Sequence, residues 1–204
     1  MGNDDEKEWG KDKIVIALIG MPGSGKTEAS EVVSKETGAS TVVMGDIIRE
    51  ETLKRGLELN PENMGFVSIG LRQNHGDDVI AKRCIEKIKR IKNDIVIVEG
   101  VRSLAEIRAF KEKIPNFYTV LIEASQKTRF ERLKKRGRPD DSISWDTFVK
   151  RDERELGFGI GKAIDSADFC IANEKEDLKT FKEKVRKTIR SMIKKIFEEK
   201  EMEG

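Results

Sequence analysis

Cysteine and histidine are almost missing from this sequence, aromatic side chains are few, and neither sign of charge prevails. The 204 residues include two cysteines, Cys84 and Cys170, and one histidine, His75. The cysteines stand far apart without C-x-x-C or Cys/His spacing, which excludes a thiolate metal site and a disulfide framework. Both are expected as reduced thiols in the core. Basic and acidic residues number 40 and 38, a net charge of +2. With that balance and only 6% aromatics, neither a nucleic acid nor a membrane surface is called for as partner. No apolar run approaches the roughly 20 residues of a spanning helix, and Met1 to Lys13 is too polar for a secretory signal. The expectation is a soluble, cytoplasmic protein, and 37% hydrophobic content over this length suffices for one sizeable core.

What is present is a series of short apolar runs. Ile14 to Ile19 is continuous and bounded by glycine, the pattern of a strand covered on both faces. Thr41 to Met44, Ile95 to Val98, Tyr118 to Ile122 and Phe169 to Ala172 repeat it, with charged segments of helical spacing between them. Alternating strands and helices predict an α/β fold: a five-stranded parallel sheet with helices on both faces and right-handed crossovers. Glu28 to Glu36 reads as a helix stopped by Gly38, and Ser103 with Glu106 as a capping box. Gly56 to Asp78, with Pro61, Gly65, Gly70 and Gly76, reads as a helical insertion with several breaks. Leu178, Phe181, Val185, Ile189, Met192, Ile193 and Ile196 form an apolar stripe on a terminal helix, over about 175–200, that docks on the sheet.

Directly after the first run comes Gly20-Met21-Pro22-Gly23-Ser24-Gly25-Lys26-Thr27. It matches G-x-x-x-x-G-K-[ST] between a strand and a helix, the context that motif requires. Glycines let successive N–H groups face inward, the helix adds the positive end of its dipole, and the loop becomes an anion cradle. Lys26 can reach the β- and γ-phosphates of a nucleotide, and the Thr27 hydroxyl can ligate Mg²⁺. A metal carboxylate belongs at the end of a neighbouring strand, where Glu99 and Asp46 both stand.

These motifs resemble the nucleoside monophosphate kinase and dephospho-CoA kinase group, and most closely an archaeal family of nucleotide-kinase-like proteins, over roughly 14–173. The resemblance implies a P-loop NTPase fold with a helical acceptor-binding region at about 46–92 and a short lid at about 136–160, following a polar tail at 1–12. Gly45-Asp46-Ile47-Ile48-Arg49 is similar to the Gly-Asp-x-x-Arg segment whose arginine binds the acceptor phosphate. Glu99-Gly100-Val101-Arg102 resembles the acidic-Gly-x-x-Arg pattern, one residue short, and implies acceptor binding by Arg102. Ala167 to Asn173 looks like the last strand of dephospho-CoA kinases and implies a base contact for Asn173. Arg129, Arg132, Arg136, Arg138, Arg151 and Arg154 crowd the lid interval, where guanidinium groups neutralise the transferring phosphoryl and closure excludes water.

The expected activity is transfer of the γ-phosphoryl of Mg²⁺–ATP to a small nucleotide-like acceptor, a nucleoside monophosphate or dephospho-CoA. Lys26, Asp46, Arg138 and Arg151 are the catalytic candidates, with Asp46 as base if the acceptor is a hydroxyl. The P-loop residues and Asn173 hold ATP, Asp46, Arg49 and Arg102 hold the acceptor, and Thr27 with Glu99 holds Mg²⁺. His75 lies in the region that would face the acceptor. Gly157 to Gly161 lacks the preceding strand of a dinucleotide site and reads as a turn. The competing class is a nucleotide-dependent switch acting on a macromolecular partner.

Overall fold

The computed structural model describes residues 13–136 and 144–203. Strand β1 (Ile14–Ile19) is buried along its whole length, and its side chains alternate between two cores. Val15, Ala17 and Ile19 enter one; Ile14, Ile16 and Leu18 enter the other. That is the physical meaning of a continuous apolar run: with both sheet faces covered, no position is left for water. β2 (Ser40–Val43), β3 (Ile95–Glu99), β4 (Phe117–Glu123) and β5 (Phe169–Ala172) complete a parallel sheet ordered β2-β3-β1-β4-β5. The expected α/β architecture is therefore present. The chain leaves β1 toward β2 on one side and reaches β4 on the other, so the loop after β1 opens at the point where strand order reverses. Register brings Leu18 level with Glu99 and Val43 level with Glu99, so the loops that follow meet along one edge.

Helix α1 (Lys26–Thr37) follows the P-loop and ends at Gly38, whose N–H bonds the Ser34 carbonyl. α2 (Met44–Lys54) starts without any loop after β2, so Met44 is the first helical residue and not the last of the strand. α3 (Pro61–His75) corrects the broken insertion: Asn60 caps it by accepting from the Asn63 N–H, and Gly65 and Gly70 lie inside one continuous helix. The breaks fall outside it, at Gly56 after α2 and at Gly76 after α3, both with positive φ. α4 (Val79–Lys89) and α5 (Leu104–Lys113) cover the β1–β3 face. α6 (Gln126–Arg136), α7 (Trp145–Gly157) and α8 (Ile160–Asp165) follow β4, and Gly159 makes the turn between α7 and α8.

α9 (Leu178–Glu203) lies beside α1 on the opposite face. Phe181, Val185, Ile189, Met192 and Ile196 are buried there, while Leu178 at its start is half-exposed. Cys84 is buried in α4, but Cys170 is exposed, a correction to its reading as a core thiol. It sits on edge strand β5, where Phe169 and Ile171 pack toward α9 and the alternate positions, Cys170 and Ala172, are exposed. Among the described residues no helix is long and apolar enough to cross a membrane.

Candidate phosphate and acceptor site

The P-loop wraps the amino end of α1 with its backbone pressed against neighbouring elements. At Gly25, φ is 106° and a Cβ would lie 2.4 Å from Asn173 Nδ2; at Gly20 it would lie 2.4 Å from the Ile122 carbonyl oxygen. Gly25→Ala must therefore either expel the Asn173 amide or strain the loop. It is expected to cost about 1–3 kcal/mol, read as a lowered Tm together with weakened nucleotide binding in a fluorescence titration.

Lys26 Nζ donates to the carbonyls of Gly20 (2.7 Å) and Met21 (3.1 Å), so the ammonium rests over its own loop. Burial lowers its pKa to about 8; the nearby Glu155 carboxylate opposes that shift, Arg102 and Arg129 add to it, and Glu99 opposes it. The first N–H groups of α1 have no acceptor within the helix, and Gly25 supplies no side-chain cap. Ser24 Oγ is buried without a hydrogen-bond partner. The head of α1 borders a cavity of about 460 Å³, lined by Gly25, Lys26 and Thr27 and by Arg132, Arg136 and Arg151. The carboxylate on the lining, Glu28, is paired with Lys182 at 2.7 Å. Such a lining suits a polyanion with several phosphate oxygens, and the uncapped helix end fits the phosphates of a nucleoside triphosphate. Thr27 is exposed at the head of α1 and Glu99 ends β3, half-buried. Both offer the oxygen ligands that a hard cation takes.

Two arginines of α6, Arg129 and Arg132, brace this loop. Arg129 is buried against Asp152, with Nη1 to Oδ1 at 2.8 Å, and also donates to the Pro22 carbonyl at 3.1 Å. Its guanidinium lies 5.1 Å from the Phe148 ring centroid. Arg132 donates to Asn173 O and Oδ1, both at 3.0 Å, and to Glu174 O. Asn173 in turn donates through Nδ2 to the Ser24 carbonyl at 2.7 Å and is buried. This corrects its expected contact with the base: the amide is committed to holding the P-loop. Arg154 is exposed and lies off the cavity lining, and Arg138 falls outside the described residues.

The candidate acceptor residues stand on α2 and on the loop after β3. Asp46 and Arg49, in the first turns of α2, pair with each other and are each about half-exposed. Arg102, on the loop between β3 and α5, places Nε 3.8 Å from Glu155 Oε2 and its guanidinium 5.8 Å from the Phe158 ring centroid. Its backbone N–H donates to Glu106 Oε2 at 2.8 Å, and Arg72 of α3 binds Oε1 of the same carboxylate at 2.9 Å. Ser103 does cap α5, but Glu106 reaches past it, so the box is only half formed. Burial raises the Glu106 pKa, opposed by the Arg102 N–H and Arg72. His75 is exposed at the end of α3.

Sequence reasoning gave no site role to Glu155, Glu106 or Arg72 and no bracing role to Asp152. For Glu155 one signal existed: it follows Arg151 by four residues, hence on the same helix face.

An AAA domain family model matches residues 19–147. The chain is 51% identical over 164 residues to a UPF0200 protein of Methanocaldococcus jannaschii, covering 79% of this chain and 82% of that one. It is 43% identical to a UPF0200 protein of Thermococcus onnurineus, covering 91% and 100% respectively. Among solved structures it resembles TT1252 from Thermus thermophilus (TM-score 0.61, 17% identity, 88% of this chain and 97% of that one). It also resembles shikimate kinase from Acinetobacter baumannii bound to shikimate (0.59, 14%, 92% and 97%) and a gluconokinase from Sinorhizobium meliloti (0.56, 12%, 92% and 98%). At these identities the structures show a shared fold.

Proposed function

The chain belongs to the UPF0200 family, and on that premise we propose that it is a cytoplasmic phosphotransferase moving the γ-phosphoryl of Mg²⁺–ATP to a small nucleotide-like acceptor. The observation that carries the reading is the cationic cavity that the P-loop residues Gly25, Lys26 and Thr27 share with Arg132, Arg136 and Arg151. The P-loop N–H groups, Ser24 and Lys26 hold the phosphates, and Arg132, Arg136 and Arg151 neutralise charge that spreads over the phosphoryl oxygens. Thr27 and Glu99 are the residues that would hold Mg²⁺, which supplies charge neutralisation across the β- and γ-phosphates. The region at about 46–92 positions the acceptor, and the lid interval at about 136–160 excludes water. Because there is little covalent chemistry for the protein to perform, positioning and electrostatics supply most of the acceleration.

The test is ADP formation from Mg²⁺–ATP across a panel of nucleoside monophosphates, dephospho-CoA, shikimate and gluconate. Stimulation by one acceptor, abolished in Lys26→Ala, is the expected result. A slow rate that no small acceptor changes would overturn the reading in favour of a nucleotide-dependent switch.

A further inference from the structure

Glu155 has no part in the phosphate cradle, yet it is 7% exposed and beside it. Its helix fixes where it points. Arg129 clasps Asp152 of α7 behind the P-loop, and Arg151, one residue earlier, lines the phosphate cavity. One turn on, on the face that Arg151 occupies, Glu155 meets Arg102 arriving from the end of β3.

A buried carboxylate normally collects hydrogen bonds to offset its desolvation. Glu155 accepts none from the described residues, and its polar neighbour, Arg102 Nε, is 3.8 Å away, beyond hydrogen-bond reach. Nor are its oxygens sealed among the fully enclosed orphan atoms. Its charge is nevertheless felt at Lys26, where, after burial itself, it is the largest influence on the ammonium. The carboxylate expected from sequence to handle a proton, Asp46, is instead paired with Arg49 at a half-exposed position.

We infer that Glu155, resting on the phosphotransferase reading above, is the catalytic carboxylate that takes the acceptor's proton, and that the acceptor group is therefore a hydroxyl and not a phosphate monoester. A phosphate monoester carries no proton that must leave and needs unpaired guanidinium groups to hold its charge. Arg49 and Arg72 are already hydrogen-bonded to carboxylates, those of Asp46 and Glu106, whereas Arg102 stands 3.8 Å from Glu155 without a hydrogen bond to it. A hydroxyl needs one open carboxylate within reach of the transfer point. In the step, the acceptor oxygen bonds to the γ-phosphorus as the bond to the β–γ bridging oxygen breaks. ADP leaves with that electron pair, and the hydroxyl proton passes to a Glu155 oxygen and then to water.

The experiment uses the full chain with Mg²⁺–ATP and the same panel, following ADP and proton release together in weakly buffered indicator. The expected result is stimulation by a hydroxyl compound such as dephospho-CoA, gluconate or shikimate, with about one proton released per transfer. Glu155→Gln is expected to lower kcat by roughly 10²- to 10⁴-fold with the nucleotide Kd held within about threefold. Glu155→Asp, which keeps the carboxylate, should recover part of the loss and serves as the folded control. Stimulation by nucleoside monophosphates alone, without proton release, would overturn the assignment, and so would a Glu155→Gln variant that retains kcat while Asp46→Asn loses it. A loss confined to acceptor KM and reproduced by Arg102→Met would reduce Glu155 to a partner of that arginine, which also overturns it. If no acceptor stimulates ADP formation, the phosphotransferase reading itself falls and takes the assignment with it; failure of Glu155 alone leaves that reading standing.

Discussion

Lys26→Met is expected to lower phosphoryl transfer by about 10²- to 10³-fold, the scale for removing one preorganised donor from a developing charge. It should also abolish a pH dependence expected of the parent protein. Phosphates bind the protonated ammonium, and burial brings the free protein's Lys26 to about pH 8 from the ordinary 10.5. Above pH 8 the nucleotide Kd should rise, by up to about tenfold per pH unit, until the higher pKa of the bound state is passed. The contribution of Lys26 to stability has the opposite sign. A lysine with lowered folded-state pKa carries its desolvation penalty in full below pH 8, and that penalty is relieved as the pH rises from 8 toward 10.5. Calorimetric titration of nucleotide and thermal unfolding, both followed from pH 7 to pH 10, should thus trend in opposite directions, and Lys26→Met should flatten both trends. A wild-type Kd that is constant across that range would show that the ammonium is not what the phosphates meet.

The second large effect is on stability. Asp152→Asn leaves the buried Arg129 guanidinium without its counter-charge, and breaking a buried pair on one side costs about 3–5 kcal/mol. For a chain of this size that is a fall in Tm of roughly 6–20 °C. Replacing both partners with apolar residues, Arg129→Met with Asp152→Leu, should restore much of the loss, because neither charge is then stranded. Nucleotide affinity should stay impaired in the double variant, since the Pro22 carbonyl has lost the donor that holds the P-loop from behind. Recovery of both Tm and affinity would show that Arg129 stabilises α7 without shaping the loop.

The phosphate loop could be read from sequence because its geometry is local. Three glycines within six residues, a preceding apolar strand and a following helix are enough to curl a backbone around an anion, whatever packs behind it. The sheet was equally readable, since a strand buried on both faces must be apolar throughout, as Ile14–Ile19 is. Element ends were less so. Gly65 and Gly70 looked like breaks but lie within α3, because a glycine weakens a helix by only about 1 kcal/mol and Val67 and Leu71 are buried against the core from the same helix. Asn60 and Gly76, where a cap and a positive φ are needed, carry the real boundaries.

By itself, then, the sequence determined the parallel α/β sheet, the anion cradle at residues 20–27 and the crowd of arginines after the fourth strand, all of them set by patterns a few residues long. The tertiary structure alone decided what individual charges do. Asn173 meets Ser24 across 149 residues of chain, and Arg129 meets Asp152 across 23; each pairing turns a residue of apparent ligand-binding type into a brace. Arg102, Glu106 and Arg72 become one network only when α3 and α5 pack together. The physical reason is that a backbone conformation depends on the residues that form it. The work of a buried charge depends on which opposite charge, carbonyl or open space the fold sets against it.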